Sequence, residues 1–491
     1  MNFNSLQYYL FLPVTILLYY SIPVKFRTPL LLLLSYFFYM CWQPKYALLI
    51  LTSTVITYAC GLLLSSRPEN KKVWLALSLT LNLAILFFFK YFNFAASLIE
   101  DIVGALNLTV IAPSLDVLLP VGISFYTFQA LGYTIDVYRG KIAPERNFAC
   151  YALFVSFFPQ LVAGPIERST NLLHQFKEVH SFSFDNIRDG ALPLLWGLFK
   201  KIVIADQLAV IVNTVYAAPD TFLPSQLVIA TVAFAFQIYC DFSAYSDIAR
   251  GSAAMLGFRL MRNFNAPYFA TSIRDFWRRW HISLTTWFRD YLYYSLGGNR
   301  CSKTRNYLNI LIIFAVSGLW HGAALSFLFW GLLNGLYQVF SLITKPLRIA
   351  VQNALGLRDS NLALTFFRYV LTFALICVTW VFFRADSLSD AVYILGVVFG
   401  LIPPGTEQAF RLITMGLDMA NCKMLFIAVA VLLVVDYLGI RCEQNDTRLE
   451  LIINRTLIPR YLIYFILITA TLIFGSYGAG YNPQDFIYFQ F

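Results

Sequence analysis

The chain has 491 residues, 59% of them hydrophobic and 13% charged, with a formal net charge of +10. A soluble globular protein carries about 25% charged residues, so this composition excludes a protein that covers a water-facing surface. Charge-free runs recur at 28–44, 46–66, 73–89, 117–135, 147–166, 221–240, 306–344 and 461–484. They do not alternate as the strands of a membrane β-barrel would. The expected fold class is all-α: a polytopic membrane protein of about 10–12 transmembrane helices, each of roughly 20 apolar residues, with re-entrant or interfacial helices between them. One membrane domain is expected over 1–491, with N-terminal spans in 1–115, a core in 116–345 and C-terminal spans in 346–491.

The first apolar segment, Leu6–Ile22, follows no basic stretch, and Ser21–Ile22–Pro23–Val24 is a poor cleavage site. It therefore reads as a first span rather than a signal peptide. Short basic loops follow, such as Lys25–Phe26–Arg27 and Arg67 with Lys71–Lys72. Basic residues flanking spans mark cytoplasmic loops, which accounts for the basic excess without a nucleic-acid partner. Residues 237–258 contain Asp241 and Asp247, six apart and so not stacked on one helix face.

Residues 259–305 are different. They hold nine basic and two acidic residues, interleaved with aromatics in "RDFWRRWHISLTTWFRDYLYYSLGG". Such a segment is expected along a membrane interface; an anchor on anionic lipid and a basic mouth for a phosphate-bearing donor both fit. The run 306–344 follows, 39 residues without a charge. As one helix it would be about 58 Å long at 1.5 Å per residue, against a hydrocarbon core of about 30 Å. It must break once, and Ser317–Gly318 through Gly322 is the expected place. Further spans are expected near 362–384, 422–440 and 458–478. The chain ends "NPQDFIYFQF", an aromatic belt by composition.

Eight scattered cysteines form no CxxC pair, so neither zinc nor a disulfide framework is expected. No GxSxG elbow, phosphate-binding loop or HExxH motif appears. Of the four histidines, His174 and His180 lie in a polar loop, His281 in the Arg-rich segment and His321 in the charge-free run. An ionisable residue at membrane depth is a functional hypothesis by default, and a neutral imidazole is what a general base for a hydroxyl nucleophile needs. From the residues alone His321 reads equally as a catalytic base or as a hydrogen-bonded core histidine.

Five segments in order carry a resemblance: "PVGISFYTFQALGYTIDVYRG" (120–140), "FFPQLVAGPIER" (157–168), "QIYCDFSAYSDIARGSAAMLGF" (237–258), "NFNAPYFATSIRDFWRRWHISLTTWFRDYLYYSLGG" (263–298) and "SGLWHGAALSFLFWGLLNG" (317–335). Together they resemble the membrane-bound O-acyltransferase family, in particular its bacterial branch that O-acetylates alginate, peptidoglycan and cellulose. The resemblance implies a central funnel through the core, with His321 and His281 as catalytic residues lining it. It implies acetyl-CoA as donor substrate, no bound cofactor and no metal. Arg278 and Arg279 are candidates for the donor's phosphates, because Arg offers phosphate a forked donor set.

The terminal "FIYFQF" resembles a motif of this branch and of a small partner peptide of D-alanine-transferring relatives. That implies Tyr488 as an acyl relay, beside Asp485. The implied activity is transfer of acetyl groups across the cell inner membrane to an extracytoplasmic polysaccharide such as alginate. A serine-hydrolase-like (SGNH) acetyltransferase outside the membrane is the implied partner. The competing readings are a non-catalytic transporter or flippase of an acyl or glycan carrier, and a D-alanyl transferase of the same family.

Overall fold

The computed structural model of the chain describes residues 1–108, 113, 119–359, 361–405, 415–445, 447, 449–477 and 487. Among them, every regular element is a helix. Seven helices among the described residues are long and apolar enough to cross a membrane: Pro44–Ser66, Pro68–Ala105, Pro224–Met255, Leu325–Ile343, Leu362–Arg384, Met419–Gln444 and Leu457–Phe474. Other apolar runs form shorter helices, such as Leu6–Ser21 and Val24–Met40, or fold into short pieces. The run 147–166 becomes Phe148–Ser156 and Phe158–Leu161, joined at Phe157, with its interior buried.

The described residues form two compact units, 1–194 with 246–261, and 195–245 with 262–491. In the first unit the helices are tied by buried hydroxyl and amide bonds. Ser53 donates to Asn82 (2.5 Å), and Tyr151 donates to Thr57 (2.6 Å). In an apolar surround such groups need internal partners, because leaving them without one is costly. Glu167, only 2% exposed, accepts from Asn171 Nδ2 (2.7 Å) and the Met261 N–H (2.5 Å). Its burial pushes the carboxyl up to about 7. Asp247 pairs with Arg250 in the same unit (3.2 Å).

The second unit is built around a helical hairpin. Ser302 caps the helix Lys303–His321 by accepting from the Arg305 N–H. The helix ends at His321 because Gly322 is extended, and Ala324 starts Leu325–Ile343. This is the break that the charge-free run demanded. The two helices meet through glycines: a Cβ at Gly318 would collide with the Phe327 carbonyl, and one at Gly331 with the Phe314 carbonyl. Backbones can come that close only where side chains are absent. Leu362–Arg384 packs on the same hairpin, bringing Trp380 and Phe383 against Trp330 at 6.0 and 5.2 Å between ring centroids.

Candidate active site

The Arg-rich segment does not form one amphipathic helix. Ser272 caps the short helix Ile273–Arg279, which stops at Trp280, and a second short helix, Ile282–Trp287, begins after His281. Its aromatics turn into the protein: Phe276 and Trp280 are each 1% exposed and Phe288 3%. The arginines stay nearer the surface. Arg278 is exposed, whereas Arg279 donates to Asp275 (3.1 Å) and to the Asn265 carbonyl (3.4 Å).

The junction between the two short helices carries His281. Its backbone is left-handed, φ 43° and ψ 54°. A non-glycine residue adopts this conformation at a cost of order 1–3 kcal/mol, and such residues cluster at functional sites. Asn263 holds the junction with both of its oxygens. Its backbone carbonyl accepts from the Ile282 N–H (2.9 Å). Its side-chain Oδ1 accepts from the Ser283 N–H (3.2 Å) and the Ser283 hydroxyl (2.9 Å), and faces His281 Nδ1 at 3.1 Å. An oxygen that accepts leaves Nδ1 as the donor, so the neutral ring keeps its lone pair on Nε2. Burial holds His281 down at about 3, well below the usual imidazole range, so the ring is neutral at physiological pH.

His321 is the last residue of its helix and is 3% exposed. Trp320, Trp330 and Phe383 surround it at 4.9, 5.0 and 5.5 Å between centroids. Its fourth neighbour is His281, at 6.3 Å. Phe242 packs edge-on against His281 at 4.6 Å. The two histidines, 40 positions apart in sequence, thus share one aromatic chamber. Both imidazoles are buried among aromatic rings, a surround in which polar interactions are stronger than in water.

Of the other two histidines, His174 is exposed near Glu178 (3.8 Å). His180 is fixed, its Nε2 at 2.8 Å from the Gln175 carbonyl and its ring against Phe258 at 4.6 Å. Tyr488 lies outside the described residues, as does Asp485. Asn263 is the residue that sequence reading passed over. Its one signal is a polar side chain inside "NFNAPYF", a stretch quoted above without a role for it. No group of three or more His, Cys, Asp or Glu side chains suited to a metal occurs among the described residues.

The family model for membrane-bound O-acyltransferases matches residues 144–383. The chain is 38% identical to the probable alginate O-acetylase AlgI of Pseudomonas aeruginosa over 443 residues, 89% of this chain and 81% of that protein. It is 35% identical to the probable alginate O-acetylase AlgI of Pseudomonas putida over 98% of both chains. It is 34% identical to a peptidoglycan O-acetyltransferase of Helicobacter pylori, covering 81% of this chain and 80% of that one.

Proposed function

The chain belongs to the membrane-bound O-acyltransferase family and is a multi-pass membrane acyltransferase, and from that premise we propose that it moves acetyl groups from cytoplasmic acetyl-CoA across the inner membrane for O-acetylation of an extracytoplasmic polysaccharide such as alginate. The observation that carries this reading is the chamber in which His281 and His321 meet, 6.3 Å apart. The names of the relatives, for acetylation of alginate and of peptidoglycan, support acetyl as the acyl group and a glycan as the final acceptor.

The transfer runs as a relay. The Tyr488 phenol oxygen bonds to the thioester carbonyl carbon while His321 takes its proton. The carbon–sulfur bond breaks, and the departing CoA thiolate receives that proton from His321. An acetyl ester then rests on Tyr488. A hydroxyl of the polysaccharide, or of an SGNH-type acetyltransferase that serves it, attacks the ester. The bond to Tyr488 breaks and the hydroxyl proton returns to the phenolate. A phenol of pKa about 10 needs an adjacent base to attack at neutral pH, and His321 is that base. His281, with Nε2 as an acceptor, orients the attacking hydroxyl. Arg278 offers its exposed fork to the phosphates of CoA, with Arg279 set beside it by Asp275.

Membrane vesicles containing the chain and its glycan acceptor, given acetyl-labelled acetyl-CoA, test the reading. Label is expected on the polymer with the natural chain. His321→Ala is expected to lower it by about 10²–10⁴-fold, the usual loss on removing a general base, while the protein still purifies folded. Labelling at the natural rate in His321→Ala would overturn the assignment. Transport of a carrier without any covalent transfer would overturn the acetyl reaction itself.

A further inference from the structure

Outside the histidine chamber the second unit buries a charged cluster that the relay does not use. Lys201 Nζ lies 2.9 Å from Asp206 and 2.8 Å from Asp241 Oδ1. All three side chains are 3% exposed or less. Charges this deep in an apolar protein are expensive and mark function more often than stability. The second oxygen of Asp241, Oδ2, accepts the backbone N–H of Ile487 at 2.8 Å. Ile487 is itself 1% exposed and immediately precedes Tyr488 in the terminal motif.

A second contact ties the same C-terminal stretch to the same place. Lys201 lies in a π-helical turn, Lys200–Ala205, a local irregularity frequent at functional sites. After the helix Leu457–Phe474, the Ser476 N–H donates to the Ile202 carbonyl in that turn (3.3 Å). A Cβ at Gly475 would collide with the Thr471 carbonyl and stand 2.7 Å from Ile202 Cγ2, so the helix end and the neighbouring turn together exclude a side chain there. The turn therefore engages the tail at 475–476 directly and at 487 through Asp241.

We propose that Asp241, held by Lys201, is a positioning residue that docks the C-terminal segment through the Ile487 N–H, one residue before the Tyr488 of the relay. The proposal rests on the relay reading for the role of Tyr488, but the dock itself does not. The Lys201 ammonium, 2.8 Å from Oδ1, holds the Asp241 side chain in place. A charge-assisted bond to a backbone N–H is short and directional, so it fixes the register of the tail whatever the neighbouring side chains.

The test uses the full chain in detergent and in vesicles. Ile487→Pro removes the donor and leaves the cluster whole, whereas Asp241→Ala strands a buried ammonium and is expected to weaken the fold as well. Hydrogen exchange of peptides covering 482–491 reads docking, and label transfer reads activity. In Ile487→Pro the remaining tail amides are expected to lose protection, and kcat to fall roughly tenfold or more, with KM for acetyl-CoA unchanged. Asp241→Asn keeps an acceptor oxygen and is expected to retain part of both. Tyr488→Phe is expected to keep the protection and lose the transfer. Natural protection in Ile487→Pro overturns the dock. A released tail with natural transfer overturns its role in catalysis. Full transfer in Tyr488→Phe, with the tail still docked, overturns the relay and leaves the dock standing.

Discussion

The helices Pro224–Met255 and Leu457–Phe474 are both apolar enough to cross a membrane, yet one is 78% buried in protein over its most apolar window and the other 6%. Leu457–Phe474 shows its aliphatic and aromatic side chains outward: Phe465, Leu472 and Ile473 are each more than 60% exposed. Pro224–Met255 buries Phe234, Ile238 and Cys240 completely and carries Gln237, Asp241 and Ser243 among its buried polar groups. Lipid tails are as apolar as leucine, so hydropathy alone does not distinguish a lipid neighbour from a protein one. Polar side chains inside the run do distinguish them, because each must find its partner within the protein. The lesson extends to the chamber. His281, His321 and Asn263 are polar residues in apolar surroundings, and each marks protein contact rather than lipid.

The sharpest way to break this contrast is to truncate an aromatic on the buried helix. Phe234 is fully buried, with Trp380 and Phe383 at 6.2 and 6.4 Å and Tyr216 at 6.5 Å between ring centroids. Phe234→Ala is expected to cost about 3–5 kcal/mol, measured by denaturant titration in micelles. A cost below about 1 kcal/mol would mean that lipid or detergent fills the space as well as protein does. A smaller effect is expected where backbones touch. Gly318→Ala puts a methyl against the Phe327 carbonyl and is expected to cost about 1–3 kcal/mol by overpacking. Because the hairpin carries His321, it should also lower acetyl transfer, and an unchanged rate would show that the hairpin does not set the position of the ring.

How far the site was legible follows from the same contrast. His321 was readable because a histidine and glycines interrupt a run too long for one crossing, and the helix does break after it, at Gly322. His281 was readable only through the family motif. Its pattern of Arg and aromatics matches an interfacial helix, and nothing in the periodicity announces a left-handed residue that turns the aromatics inward. Asn263 carries no sequence signal beyond polarity, because its partners depend on a bend 18 residues downstream. Asp241 stood out as an acid in an apolar run. Its partner Lys201 did not, since 40 residues separate them and no spacing rule links two different helices. The buried charge on one helix was visible, and the fold alone supplied its counter-charge.

Protonation gives a further, gentler probe. His281, outside the seven candidate spans, is held at about 3 in the folded chain against an ordinary value near 6.5. Between these values the unfolded chain binds the proton and the folded chain does not, so stability is expected to fall as pH drops from about 6.5 toward 3. Glu167 acts in the opposite sense: raised to about 7, it favours the folded chain below about 4.5 and loses that contribution as pH rises through 7. Thermal unfolding of His281→Gln is therefore expected to depend less on pH below 6.5 than that of the natural chain. An identical acid profile would mean that water reaches the ring.

The smallest effect is expected on the outward helix. Phe465 is 67% exposed, so in the membrane its ring faces acyl chains. Removing it leaves no cavity, because lipid flows into the space, and the stability change for Phe465→Ala is expected to stay within about 0.5 kcal/mol. The same chemical change thus differs several-fold between two helices that composition ranks together. A loss at Phe465 as large as that at Phe234 would place a protein surface, from a partner or a second copy, against the helix Leu457–Phe474. The apolar exposure of that helix would then be an interface rather than a lipid contact.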